Sequence, residues 1–307
     1  MKELEKFRES TRAWLEENCP AGARGGGYTP IGSKTIDLEP DTRLWLDRMI
    51  EKGWTVPTWP KEYSGAELNR DQYRVLIDEM KRIGARPPLT GRCVNYIGPA
   101  ILEFGTDDQK ARWLPICARG EGAWAMGYSE PGAGSDLASL SMKAVREGDN
   151  YIINGRKTWI SGADEADYIV TACRTTEGSK GNRGISMLAV PRSAAGIHMT
   201  PLEKIGNNCL TSWDIAFEDV FVPEDGLLGD EGDGFKHLMS TLQFSRSGQA
   251  ANVVGQSQRA VDMAVAHVKE REQFGQPLGK FQAVAHRIAD MQTRVDQARF
   301  VLYHLAW

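Results

Sequence analysis

Apolar residues over the first 120 positions recur at helical spacing. Leu4, Phe7, Thr11, Trp14 and Leu15 share one face, and Pro20 lies just past the end of that helix. After the loop Gly25-Gly26-Gly27, a second helix is predicted from Asp41, burying Leu44, Trp45, Met49 and Ile50. Periodicity is lost over 53–65, which holds Pro57 and Pro60 and reads as an aromatic packing loop. A third helix from Asn69 carries Tyr73, Leu76, Ile77, Met80 and Ile83 on one face. The apolar run 93–104 contains Pro99, which predicts a kink, and Gly105 ends it. Thr106-Asp107-Asp108-Gln109 spells a capping box for the helix that follows.

From Ala123 the period shortens to that of strands. Residues 141–145 and 151–153 read as strands joined by the hairpin signal Glu147-Gly148-Asp149-Asn150. Further strands are predicted at 168–172, 184–190, 197–201 and 213–220, so the segment implies a small antiparallel barrel or sandwich. The helical period returns at Gly234. One long helix reaches Arg271, the loop 274–279 breaks it, and a second starts near Phe281 and is still running at Leu305. The pattern gives an α+β multidomain chain: an N-terminal α-helical bundle (1–122), a middle β-barrel (123–233) and a C-terminal α-helical bundle (234–307) that reads as truncated.

Composition narrows the class without changing this picture. Hydrophobic residues make up 41% and charged residues 25%, with a net charge of −4. No basic face argues for nucleic acid, and no window reaches the apolar length of a membrane span. The charged N-terminus lacks the apolar core of a signal peptide. Five scattered cysteines, with no C-x-x-C pair, fit buried thiols in a reducing cytoplasm. The histidines (His198, His237, His267, His286, His304) have no metal spacing and read as surface or packing residues.

Candidate chemistry centres on 126–162. The turn Pro131-Gly132-Ala133-Gly134-Ser135-Asp136 sets two glycines, expected to allow positive φ and close backbone approach, beside Ser129 and Ser135. Such a turn can hold a phosphate or a carbonyl oxygen. Taken alone, Trp159 reads as a barrel core residue and Arg271 as a solvated helix-end cation.

The order of the pieces, Tyr-Ser-Glu-Pro-Gly-Ala-Gly-Ser-Asp followed by Gly-Asp-x-Tyr-x-Ile-Asn-Gly-x-Lys-x-Trp-Ile-Ser, resembles the acyl-CoA dehydrogenase family of flavoproteins. That resemblance implies FAD as cofactor, held by Met126, Tyr128, Ser129, Trp159, Ile160 and Ser161, with Ser161 near flavin N5 and Trp159 beside the ring. Arg271-Glu272-Gln273-Phe274-Gly275 resembles the family's flavin diphosphate motif, with Arg271, Gln273, Phe274, Phe281 and Gln282 as its contacts. Because that arginine commonly serves a neighbouring subunit's flavin, the resemblance implies a homo-oligomer, a dimer or tetramer. Ser135, Leu242, Gln243 and Arg246 match acyl-CoA positions, although Gln243 and Ser245 depart from acidic residues found in relatives. Glu130 matches a glutamate that shapes the turn.

The implied activity is α,β-desaturation of an acyl-CoA thioester in lipid degradation. A carboxylate takes the α-proton, hydride passes to flavin N5, and an electron-transfer flavoprotein is the acceptor. No catalytic base is named: the glutamate is expected beyond Trp307, since Ser245 occupies its alternative place. The alternatives are an acyl-CoA oxidase, a reductase or a flavin monooxygenase on the same fold, or a base-less acyl-CoA-binding subunit or fragment.

Overall fold

The computed structural model describes residues 2–306, except for the side chain of Phe244; Met1 and the expected chain end at Trp307 lie outside the described residues. The N-terminal layer begins with α1 (Lys2–Asn18), α2 (Pro40–Glu51) and α3 (Arg70–Arg82). Asn69 caps α3, accepting from the backbone N–H groups of Asp71 and Gln72, while Gln72 reaches back to the Asn69 N–H. Leu15, Trp45, Met49, Leu76 and Met80 form a shared core, with Trp14 edge-on to Trp54 at 4.9 Å.

Leu44, Tyr73 and Ile77, expected inside, are exposed. For Tyr73 and Ile77 on α3 the reason is Glu79. It is buried together with Val75, Leu76 and Met80, and receives hydrogen bonds from Arg8, Arg12 and Arg82. A periodicity that counts only apolar residues takes Tyr73 and Ile77 for the buried stripe. The arginines let a carboxylate occupy that stripe, and the apolar pair is rotated outward.

The run around Pro99 is a π-turn, Cys93–Ile97, leading into α4 (Gly98–Phe104). The Gly98 N–H bonds to the Cys93 carbonyl, and Pro99, which has no N–H, falls in the first turn of α4 where none is needed. The helix α5 (Asp107–Ala118) starts from the capping box of Thr106 and Gln109. Gln109 also donates to the carbonyls of Asp225 and Leu227, tying α5 to the sheet.

Eight strands form the sheet: β1 (Trp124–Gly127), β2 (Lys143–Glu147), β3 (Asn150–Ser161), β4 (Tyr168–Arg174), β5 (Ile185–Pro191), β6 (Ile197–Pro201), β7 (Ser212–Pro223) and β8 (Leu227–Leu228). Their order is β6-β7-β3-β2-β4-β5-β8, with β1 alongside β4. Two pairings, β1–β4 and the short β2–β4 contact, are parallel where antiparallel ones were expected. The β2–β3 hairpin intervenes between β1 and β4, so the chain re-enters in its original direction. Tyr151, Ile153, Ile160, Ile169, Leu188, Ile215, Phe217 and Val222 fill the core of the sheet. Four cysteines are buried as expected; Cys209 is exposed.

The chain divides into two compact units, 1–239 and 240–307. The helix α6 (Gly234–Glu270) begins in the first and continues into the second, which also holds β9 (Glu272–Gln273), β10 (Gln276–Pro277) and α7 (Gln282–Ala306). In that second unit Gln258 and Gln292 exchange amide hydrogen bonds of 3.0 and 3.2 Å between α6 and α7. Among the described residues no helix is long and apolar enough to cross a membrane.

Candidate functional site

Strand β1 delivers the chain to Tyr128, Ser129 and Glu130. Glu130 and Ala133 exchange backbone hydrogen bonds, closing a tight turn. The Glu130 carboxylate then accepts from the backbone N–H groups of Ser141 and Met142, the Ser141 hydroxyl and the Lys157 ammonium. Lys157 is wholly buried and donates also to the Tyr128 carbonyl at 3.0 Å. Burial alone would raise the Glu130 pKa. The Lys157 charge and the hydrogen bonds outweigh it, and the carboxyl stays below its usual range. Glu130 is therefore a structural anion that shapes the turn. Gly132 and Gly134 correct the sequence expectation: neither adopts a positive φ, and neither has any atom within 4 Å of where a Cβ would stand. Reciprocal bonding and the Glu130 anchor set the turn without a left-handed residue, and its glycines face open space.

Across from this turn β3 contains a bulge. Lys157 pairs with Ile215 and Ile160 with Trp213, so Thr158 and Trp159 oppose the single residue Asp214. The Thr158 N–H bonds to the Ser129 carbonyl at 2.9 Å. Trp159 takes the left-handed conformation, φ 61°, and is 60% exposed. A positive φ is rare for a bulky residue, and here the bulge holds it. The core reading of Trp159 is thus excluded, while Ile160 beside it is buried. The indole borders a pocket of about 450 Å³ lined also by Ser129, Glu130, Pro131, Gly134, Arg156, Thr158 and Asp214. Arg156 is ion-paired with Asp214 at its edge. Burial raises the Tyr128 hydroxyl well above the ordinary phenol range.

Of the predicted residues in the first unit, Ser129 and Trp159 line this pocket. Met126, Tyr128, Ile160 and Ser161 belong to the two segments that bound it, and Ser161 Oγ lies 3.5 Å from Ser212 Oγ. Ser135 is exposed on the turn and does not line the pocket.

A second cavity of the first unit, about 680 Å³, escaped the sequence reading. Asn182, Arg183, Glu231, Asp233, Phe235 and Lys236 are among its lining residues, two cations beside two carboxylates. Arg174 fastens the neighbouring loop, donating to the carbonyls of Ala138, Leu140, Gly181 and Arg183. The available signal was the glycine-spaced turn Gly232-Asp233-Gly234 at the start of α6, opposite a loop rich in Gly, Lys and Arg.

In the second unit, Gln273 pairs with Gln276 across a two-residue turn, Phe274-Gly275, both at positive φ (52° and 76°), as a tight hairpin requires. Phe274 is exposed and meets Phe281 edge-on at 6.1 Å. The Arg271 backbone is tied by its N–H to His267 and by its carbonyl to Leu278, while its exposed guanidinium has no ion pair among the described residues. Gln282 opens α7 and is exposed. Leu242, Gln243 and Arg246 lie on α6, with Gln243 and Arg246 exposed. No group of three or more metal-ligating side chains occurs among the described residues.

Three family models match in succession: the acyl-CoA dehydrogenase N-terminal domain over 1–121, the middle domain over 125–220 and the C-terminal domain over 232–307. The chain belongs to the acyl-CoA dehydrogenase family. It is 38% identical over 265 residues to the 3-(aryl)acrylate reductase of Clostridium sporogenes, covering 85% of this chain and 70% of that protein. It is 33% identical over 308 residues to the short-chain specific acyl-CoA dehydrogenase of Clostridium acetobutylicum, covering 100% and 79%. An acyl-CoA dehydrogenase structure from Geobacillus kaustophilus superposes with a TM-score of 0.74 at 32% identity, covering 100% of this chain and 80% of that one. As a family member the chain is an oxidoreductase acting on CH–CH bonds, and the helical, sheet and helical parts expected from sequence are those of the family.

Proposed function

We propose that this chain is an FAD-dependent acyl-CoA dehydrogenase that desaturates an acyl-CoA between the α and β carbons. The observation that carries this is Trp159, an exposed indole held at positive φ in a bulge facing the Ser129 turn. A flat aromatic ligand suits that wall, with backbone donors of 128–129 and 160–161 for its polar edge and Met126 close by. Arg271, exposed and without an ion pair among the described residues, lies close in the chain to Gln273, Phe274, Phe281 and Gln282 and suits the FAD diphosphate. By the family pattern it serves a neighbouring subunit, in a cytoplasmic dimer or tetramer.

FAD, when bound, supplies the two-electron acceptor for the chemistry. The protein's part is to seat the thioester and exclude water. Donors aimed at the thioester carbonyl stabilise the negative charge that develops as the α-proton leaves. Ser135, Leu242, Gln243 and Arg246 are the proposed acyl-CoA contacts. Neither carboxylate of the Trp159 pocket is the base. Glu130 is saturated by four donors and Asp214 is paired with Arg156. Electrons then pass to an electron-transfer flavoprotein. A relative named as an acrylate reductase favours, as a second reading, the same site run in the reducing direction.

Anaerobic titration with butyryl-CoA tests the proposal. The flavin absorption band is expected to change with butyryl-CoA and not with butyrate. Bleaching together with a product two hydrogens lighter marks the dehydrogenase. A band indifferent to acyl-CoA overturns the reading.

A further inference from the structure

Several arginines of this chain use their donors to hold the fold. Arg86 donates to the carbonyls of Gly22, Arg24 and Gly26 and to the Thr42 hydroxyl, and Arg174 donates to four carbonyls. Arg8, Arg12 and Arg82 converge on Glu79. Arg156 is held differently. Its Nε donates to the Asp214 carboxylate, and neither terminal nitrogen has a hydrogen-bond partner among the described residues. Four of the five guanidinium N–H donors are therefore free for a ligand or water.

The two members of this pair differ in setting. The Asp214 side chain is 12% exposed and that of Arg156 is 62% exposed. Asp214 is the residue of β7 that opposes both Thr158 and Trp159, so the bulge that holds the indole also fixes the carboxylate. Asp214 in turn tethers one edge of the Arg156 guanidinium. Both residues line the cavity bordered by Trp159. Glu130, the other carboxylate there, is matched by the Lys157 ammonium at 2.9 Å. Among the described residues that line the cavity, Arg156 is the cation, and it keeps unused donors.

We propose that Arg156, with Asp214 as its positioning residue, tunes the reduction potential of the flavin seated against Trp159. The inference rests on the reading of the Trp159 cavity as the flavin seat. Desaturation yields two electrons and two protons. The base keeps one proton, so two electrons and one proton pass to the ring and leave it one charge more negative. A cation lining the same cavity favours that form over the oxidised one, and the fixed carboxylate beside it opposes. A ring in a cavity of about 450 Å³ lies within roughly one screening length of both charges, so salt does not erase the effect.

The test measures the two-electron potential of bound FAD in the wild type, Arg156→Gln, Arg156→Lys and Asp214→Asn, by stepwise dithionite reduction against a reference dye. Arg156→Gln is expected to weaken the preference for reduced over oxidised FAD roughly tenfold, which lowers the potential by about 30 mV. Arg156→Lys should keep most of the wild-type value. Asp214→Asn should raise the potential, because the cation stays and its counter-charge goes. Shifts of opposite sign separate charge from packing, since loosened packing would move both variants the same way. An unchanged potential in Arg156→Gln, or shifts of one sign in Arg156→Gln and Asp214→Asn, overturns the inference and leaves the flavin reading standing. If the wild type takes up no FAD, the flavin reading fails and this inference fails with it.

Discussion

The Lys157 ammonium lies 2.9 Å from the Glu130 carboxylate, and both groups are shut away from water. The pair locks the Ser129 turn to β3 two residues before Trp159, so it connects the stability of the sheet with the shape of the candidate flavin wall. Removing one member of a buried pair strands the other charge, at a cost of ~3–5 kcal/mol. Lys157→Met should lose about that much in urea unfolding. Adding Glu130→Gln should recover part of the loss. Equal instability of the single and double variants would show that lost packing, not the stranded carboxylate, is the cause.

Acid stability should depend on Glu79. The Arg12 hydrogen bond, working against the carboxylate's own burial and aided by Arg82 and Arg8, lowers its pKa from 4.5 to about 2. A depressed folded pKa stabilises fully above the unfolded value and progressively less as pH falls towards the folded one. Glu79→Gln should therefore be less stable than wild type at neutral pH, and the gap should narrow between pH 4.5 and about 2. Denaturation curves across that range check this; a constant gap would mean that the carboxylate's charge is not what holds α1 to α3.

Arg271→Ala should reduce FAD retention through gel filtration, because the diphosphate loses its cation, while the fold survives at this exposed position. Roughly a tenfold or greater weakening is expected. Unchanged flavin content would remove Arg271 from the site.

The helices and strands were legible because their signals are local. The Thr106 and Asn69 caps, the hairpin at 147–150 and the restart of helical period at Gly234 each name a neighbouring element. What escaped depends on pairing between distant residues. Nothing near Glu79 in the chain announces that Arg8 and Arg12 will neutralise it, so Leu76 and Met80 were placed correctly on the buried stripe of α3 while Tyr73 and Ile77 were not. The parallel β1–β4 pairing depends on the path of the whole sheet. Trp159 had two readings in the sequence, core or flavin wall. The two-against-one count of β3 and β7, fixed by residues over fifty positions apart, turns the indole outward.

The central claim is that FAD stacks against Trp159. The most direct measurement is FAD binding to flavin-free protein, followed by tryptophan emission in the wild type and in Trp159→Phe. A flavin close to an exposed indole should quench it, so the difference between the two proteins should carry most of the emission change on binding. Flavin that binds both proteins with the same emission change, or a chain that takes up no flavin, would contradict the account.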